Sequence, residues 1–127
     1  GQSVLMARPR LLIVDDEPAN RDLLRRILGR EFQVLEADGA EGALASLEQH
    51  SPIELMLCDQ MMPGKSGAEL SRQVRARWPD VVILLLTGTE DAPEVVSVRT
   101  EGIVREVVGK PWSLPELREA VARAMKR

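Results

Sequence analysis

Tyrosine is absent from this 127-residue sequence, and the aromatic content, 2%, comes down to Phe32, Trp78 and Trp112. The core must therefore be aliphatic, and stacking of nucleobases on aromatic rings is essentially excluded as a binding mode. Only one cysteine is present, Cys58, so no internal disulfide can form and a reducing compartment fits. No apolar run exceeds the six residues of Val81–Leu86, far short of the ~20 that cross a bilayer. The opening stretch lacks the apolar segment of a secretory leader, so a cytoplasmic protein is expected. A basic excess is also missing: the formal net charge is −3, and the arginines are scattered, which argues against direct nucleic-acid binding.

What is present fits one globular domain. The length leaves little room for a second domain, and 44% apolar with 29% charged residues is an ordinary mix for one continuous core. Residues 1–7 read as an N-terminal extension, with Met6 as the native start and Gly1–Leu5 as residues left ahead of it. Residues 8–127 read as the domain.

Along the chain, strand-like and helix-like segments alternate. Leu11–Val14 is a continuous apolar run ended by Asp15-Asp16, and Glu17-Pro18 opens a helix. That helix carries Leu23, Leu24, Ile27 and Leu28 at helical spacing, with Gly29 as its stop. Gln33–Ala37 is a second strand. Ala40, Ala43, Leu44 and Leu47 mark a second helix, with His50 at its end as a partner for the helix dipole. Ile53–Cys58 is a third strand that ends on Asp59. Leu70, Val74 and Trp78 mark a third helix after the Pro63–Gly67 loop. Val81–Leu86 is a fourth strand, ending at Thr87-Gly88. Asp91–Thr100 is the weakest helix, because Val95, Val96 and Val98 form no clean stripe. Ile103–Val108 is a fifth strand before Lys110-Pro111, and Leu114, Leu117, Val121 and Met125 mark the last helix. Strand followed by helix, five times, predicts an α/β fold: a five-stranded parallel, doubly wound sheet with helices on both faces. Right-handed crossovers then place every strand's C-terminal end on one edge.

Polar residues collect at that edge. Asp15 and Asp16 follow the first strand, Asp59 the third, Thr87 the fourth and Lys110 the fifth. With the strand order 2-1-3-4-5 the first and third strands are neighbours, and ligands of such sheets bind where the order reverses. Three crowded carboxylates repel one another unless a cation sits among them. Hard oxygen donors favour Mg²⁺ (or Mn²⁺), whose remaining coordination positions suit phosphate oxygens. Thr87 and Lys110 offer donors for a phosphoryl group in transfer, and an aspartate can act as the nucleophile. Each residue also has a plainer reading. Asp15-Asp16 would cap the first helix, Thr87 would cap the fourth, and Lys110 would be a solvated lysine. Cys58 reads as a small buried hydrophobe and not as a redox group.

Leu11-Leu12-Ile13-Val14-Asp15-Asp16-Glu17-Pro18, Asp59-Gln60-Met61-Met62-Pro63-Gly64 to Gly67, Leu86-Thr87-Gly88 and Lys110-Pro111-Trp112 together resemble the receiver domains of two-component response regulators, over about residues 8–126. The resemblance implies a CheY-like, flavodoxin-like fold and the following roles. Asp59 would accept a phosphoryl group from the phosphohistidine of a sensor histidine kinase. Asp16 and Asp59 would hold the metal directly, Asp15 through water, and the Met61 backbone carbonyl would complete the site. Thr87 would turn toward the phosphoryl group, Lys110 would pair with it, and the Lys110–Pro111 bond would be cis. It further implies an output domain or partner outside this chain, and a homodimer through the fourth helix, fifth strand and fifth helix.

Three positions bear on how such a switch works here. The family's usual aromatic three residues before the lysine is replaced by Val107. Met61 and Thr89 occupy the positions that in the family tune loss of the phosphoryl group, and neither supplies a strong acid or base, so a moderately long-lived phosphoform is expected. Two other functions compete. A receiver that only binds proteins is compatible with Val107. An aspartate-nucleophile phosphohydrolase would need a second, acid–base Asp two residues after its nucleophilic Asp, and the residues two after Asp15 and Asp59 are Glu17 and Met61, which do not provide that pattern.

Overall fold

The computed structural model describes residues 8–126; the expectations for residues 1–7 lie outside the described residues. Five strands, β1 (Arg10–Val14), β2 (Gln33–Ala37), β3 (Leu55–Asp59), β4 (Val82–Thr87) and β5 (Glu106–Gly109), alternate with five helices. The helices are α1 (Pro18–Leu28), α2 (Ala40–His50), α3 (Gly67–Arg77), α4 (Pro93–Thr100) and α5 (Leu114–Met125). All strand pairs are parallel, and the order across the sheet is β2-β1-β3-β4-β5. This is the five-stranded CheY-like architecture expected from the sequence.

The strands alternate their side chains between two apolar layers. Leu12 and Val14 of β1 join Met56, Cys58, Ile83 and Leu85 on the face covered by α2, α3 and α4. Leu11 and Ile13 join Leu55, Leu57, Leu84 and Leu86 on the face covered by α1 and α5. Burial on both sides is why the strands read as unbroken apolar runs. Each fully buried Leu or Ile contributes about 1.5–3 kcal/mol relative to exposure.

Several boundaries and orientations differ from the sequence expectation. β5 begins at Glu106, not Ile103, because the amides of Ile103 and Val104 close back on Val98 O (3.0 and 3.1 Å). Gly102, at φ +77°, supplies the left-handed turn this needs. α4 begins at Pro93 rather than Asp91, and its N-cap is Ala92 with no side-chain cap. Thr87 therefore does not cap it. Leu23 and Leu114, which fit apolar stripes by spacing, are 47% and 46% exposed; only Leu24 and Leu28 of α1 are buried. By contrast, α3 and α5 each open with a capping box, Ser66 with Glu69 and Ser113 with Glu116, which satisfies amides the helix itself leaves free. Trp78 and Trp112 are partly buried against the two apolar layers, and Cys58 is fully buried. Burial pushes the Cys58 thiol up, and the nearby Asp59 and Asp15 charges add to this, so the thiolate that redox chemistry requires is suppressed.

Candidate phosphoacceptor and metal site

Strand register brings the acids together. Val14 pairs with Cys58, so Asp15 and Asp59, each one residue further on, leave neighbouring strands at the same level. One carboxylate oxygen from each of Asp15, Asp16 and Asp59 lies within 4.8 Å of the others. Asp15 and Asp59 are 2% and 6% exposed, and Asp16 is open to solvent. Asp15 is held in place: its Oδ1 accepts from Glu17 N (2.9 Å) and its Oδ2 from Asn20 Nδ2 (3.3 Å). Arg21 Nη1 donates to its backbone carbonyl (2.8 Å). The N-cap of α1 is Glu17, with no side-chain cap bond, so the capping reading of Asp15-Asp16 is not realised; these bonds orient the Asp15 carboxylate.

Lys110 enters from the β5 end, where its amide donates to Thr87 O (2.8 Å) and its Nζ to Asp59 Oδ1 (2.5 Å). The solvated-lysine reading is therefore set aside. The Lys110–Pro111 peptide is cis. Thr87 is buried, but its hydroxyl is directed into its own loop: it accepts from Thr89 N (2.9 Å) and shares a hydrogen bond with Thr89 Oγ1 (3.0 Å). Met61, two residues after Asp59, has its side chain 70% exposed.

Two residues of the site were assigned no role from the sequence. Gln60, 3% exposed, ties the loop after Asp59. Its Oε1 accepts from Ala68 N (2.8 Å), its carbonyl from Gly67 N (2.9 Å), and its amide donates to Leu86 O (2.9 Å). Asn20 steadies Asp15 from α1. No sequence signal marks the Gln60 role, because its partners are amides of the first turn of α3 that only the fold brings to it.

The electrostatics are unbalanced. Three carboxylates face one ammonium, and they have hard oxygens at a spacing a small divalent cation can bridge. Burial raises the Asp59 carboxyl above its ordinary value; the Lys110 hydrogen bond and charge oppose this, and the charges of Asp15 and Asp16 add to it. A carboxyl raised in the folded state stabilises the fold fully below its unfolded pKa and loses that contribution as pH rises through the folded pKa. In EDTA, Asp59→Asn should therefore melt above wild type at neutral pH, the gap closing as pH falls toward ~4, near the unperturbed aspartate value. A gap that stays constant with pH, or is reversed, would contradict this account; thermal melts at stepped pH measure it.

An open depression of about 470 Å³ is lined by the polar Asp15, Asn20 and Lys110 together with Leu23, Leu24, Leu86, Pro111 and Trp112.

Comparison with known proteins agrees with this geometry. The family model described as the response regulator receiver domain matches residues 11–122. The hydrogenase transcriptional regulatory protein HoxA of Cupriavidus necator is 37% identical over 116 residues, 91% of this chain and 24% of that protein. The transcriptional regulatory protein AruR of Pseudomonas aeruginosa is 41% identical over 121 residues, 91% of this chain and 48% of that protein. The chain thus spans about a quarter to a half of the length of these curated relatives. Among solved structures, the response regulator protein TrrA of Thermotoga maritima, in complex with Mg²⁺-BeF, superposes with a TM-score of 0.78 at 32% identity, covering 92% of this chain and 99% of that one. A response regulator receiver domain protein from Clostridium thermocellum gives a TM-score of 0.83 at 25% identity, covering 92% and 94%. A doubly wound sheet with this strand order, its acids, threonine and lysine gathered on one edge, and a family match across nearly the whole chain make this protein a member of the response regulator receiver domain family.

Proposed function

We propose that the chain is a phosphorylation-dependent switch in which Asp59 receives a phosphoryl group from the phosphohistidine of a sensor kinase. The observation that carries this is the convergence of Asp15, Asp16 and Asp59 within one cation's reach, with Lys110 Nζ already on Asp59 Oδ1. Asp16 and Asp59 would hold Mg²⁺ directly and Asp15 through water, and the Met61 carbonyl would complete the set. When bound, the ion neutralises the acids and withdraws charge from phosphoryl oxygens. Asp59 attacks phosphorus, the phosphorus–nitrogen bond to the imidazole breaks, and an acyl phosphate forms while the imidazole takes up a proton on leaving. Lys110 exchanges its hydrogen bond from Asp59 Oδ1 to a phosphoryl oxygen. Thr87 turns to donate to another, stabilising charge that grows during transfer.

The kinase meets the depression beside the acids, where exposed Leu23 and half-buried Trp112 give apolar contact around a charged centre. The phosphoryl group adds nearly two negative charges, and the domain responds as a population shift read by an output domain or partner. Residues 8–127 form the switch, without turnover chemistry of their own beyond loss of the phosphoryl group. Cytoplasmic location belongs to the same reading: the one cysteine is free and buried, and among the described residues no helix is long and apolar enough to cross a membrane. A homodimer through α4, β5 and α5 is its further expectation.

Incubation with acetyl phosphate, read by intact mass, tests the proposal. Wild type should gain one phosphoryl group in Mg²⁺ and none in EDTA, and Asp59→Asn none in either. An unlabelled wild type in Mg²⁺ would favour a protein-binding module that is never phosphorylated, the reading Val107 keeps in play. Sustained phosphate release from small phosphate esters would favour a hydrolase.

A further inference from the structure

Thr87 is 1% exposed, and among the described residues its hydroxyl bonds within its own loop and not to Asp59. It accepts from the Thr89 amide at 2.9 Å and shares a bond with the Thr89 hydroxyl at 3.0 Å. Among the described residues these are the only hydrogen bonds of that hydroxyl. The backbone around it is fixed: Thr87 pairs with Gly109 across β4 and β5, and its carbonyl accepts from Lys110 N at 2.8 Å. Reaching a group on Asp59 therefore means a side-chain rotation that breaks both bonds to Thr89. Val107, the nearby β5 position, is buried and apolar and has no polar group to hold or release a hydroxyl. Thr89 is solvent-exposed, so its own hydroxyl is not needed for packing.

We propose that Thr89 is a positioning residue: its hydroxyl and amide latch the Thr87 hydroxyl inside the β4–α4 loop and so set how readily the site accepts a phosphoryl-like group. This inference rests on the phosphoacceptor reading above. Physically, each acceptance event exchanges two loop hydrogen bonds for one at the ligand. Water can take over the partners exposed in the loop, but the latched rotamer is the ground state until a charged ligand competes for the donor. Losing the side-chain half of the latch shifts that equilibrium by the net worth of one hydrogen bond, about threefold to tenfold. The backbone amide keeps the other half.

The test uses beryllofluoride, a phosphoryl mimic that is not lost by hydrolysis, with Mg²⁺ held constant. Its half-saturating concentration is measured by calorimetry for wild type, Thr89→Val and Thr89→Ser, and for both Thr87→Ala and the Thr87→Ala/Thr89→Val double variant. Thr89→Val should bind about threefold to tenfold tighter, and Thr89→Ser, which keeps the hydroxyl, should stay near wild type. In the Thr87→Ala background Thr89→Val should have no effect, since nothing remains to latch. Equal or weaker binding by Thr89→Val, or the same gain without the Thr87 hydroxyl, overturns the latch. The Thr87 side-chain rotamer, read from three-bond NMR couplings in metal-free protein, is an independent arm: one rotamer in wild type and averaging in Thr89→Val. A wild type that binds no beryllofluoride overturns the phosphoacceptor reading, whereas unchanged couplings overturn the latch alone.

Discussion

Replacing Gly67 by alanine is expected to lower stability by about 2–3 kcal/mol, because it forces an extra carbon into a filled space. A Cβ there would lie 2.6 Å from Asp59 O, 2.9 Å from Leu85 Cδ2 and 3.0 Å from Gln60 Cα. Two of these three atoms are backbone and cannot swing aside, so the loop from Asp59 to α3 must move as a body. That movement would break the Gly67 N to Gln60 O and Ala68 N to Gln60 Oε1 bonds that hold the loop. For a domain of this size the loss corresponds to a fall of about 6–15 °C in melting temperature. It should also depress acetyl phosphate labelling in the fraction that remains folded, since the loop carries both Asp59 and Met61. A variant that melts within ~2 °C of wild type, below what one lost kcal/mol produces, would show that the loop has slack the packing does not reveal.

Lys110→Ala should separate two properties that a folding defect would move together. Its ammonium sits 2.5 Å from Asp59 Oδ1, where it offsets one of three negative charges and competes with any divalent cation for that oxygen. Without it, Mg²⁺ should bind about tenfold tighter, a modest share of the Coulomb energy of a charge at that range in a partly exposed site. Phosphoryl transfer should nevertheless slow by about 10²-fold, because the preorganised donor for the growing phosphoryl charge is gone. Calorimetric Mg²⁺ titration and a labelling time course measure the two. Slower labelling with unchanged or weaker Mg²⁺ binding would mean that Lys110 acts mainly by holding the site together.

The candidate site was legible in the sequence to the extent that strand ends were. Asp15, Asp16, Asp59, Thr87 and Lys110 each follow an apolar run, and a parallel sheet with right-handed crossovers sends all such ends to one edge. Gln60 and Asn20 were not legible. Their partners are a backbone amide in the first turn of α3 and the Asp15 carboxylate beyond β1, and no local pattern announces either. The capping boxes at Ser66–Glu69 and Ser113–Glu116 are written in plain S-x-x-E spacing. Leu23 and Leu114 show the limit of those stripes: helical spacing says which residues share a face, not how wide a band the sheet covers.

The order of elements, the apolar strands buried on both sides and the chemical types available at one edge were determined by the sequence alone, because periodicity and strand termination are local properties. Three things waited for the tertiary structure. Register, which sets Asp15 level with Asp59, depends on pairing between segments more than 40 residues apart. The close approach of Gly67 to the Asp59 carbonyl depends on how α3 docks. The orientation of the Thr87 hydroxyl toward Thr89 depends on competition between hydrogen-bond partners in a folded loop. Each of these is a distance between groups, and a linear sequence carries the groups without the distances.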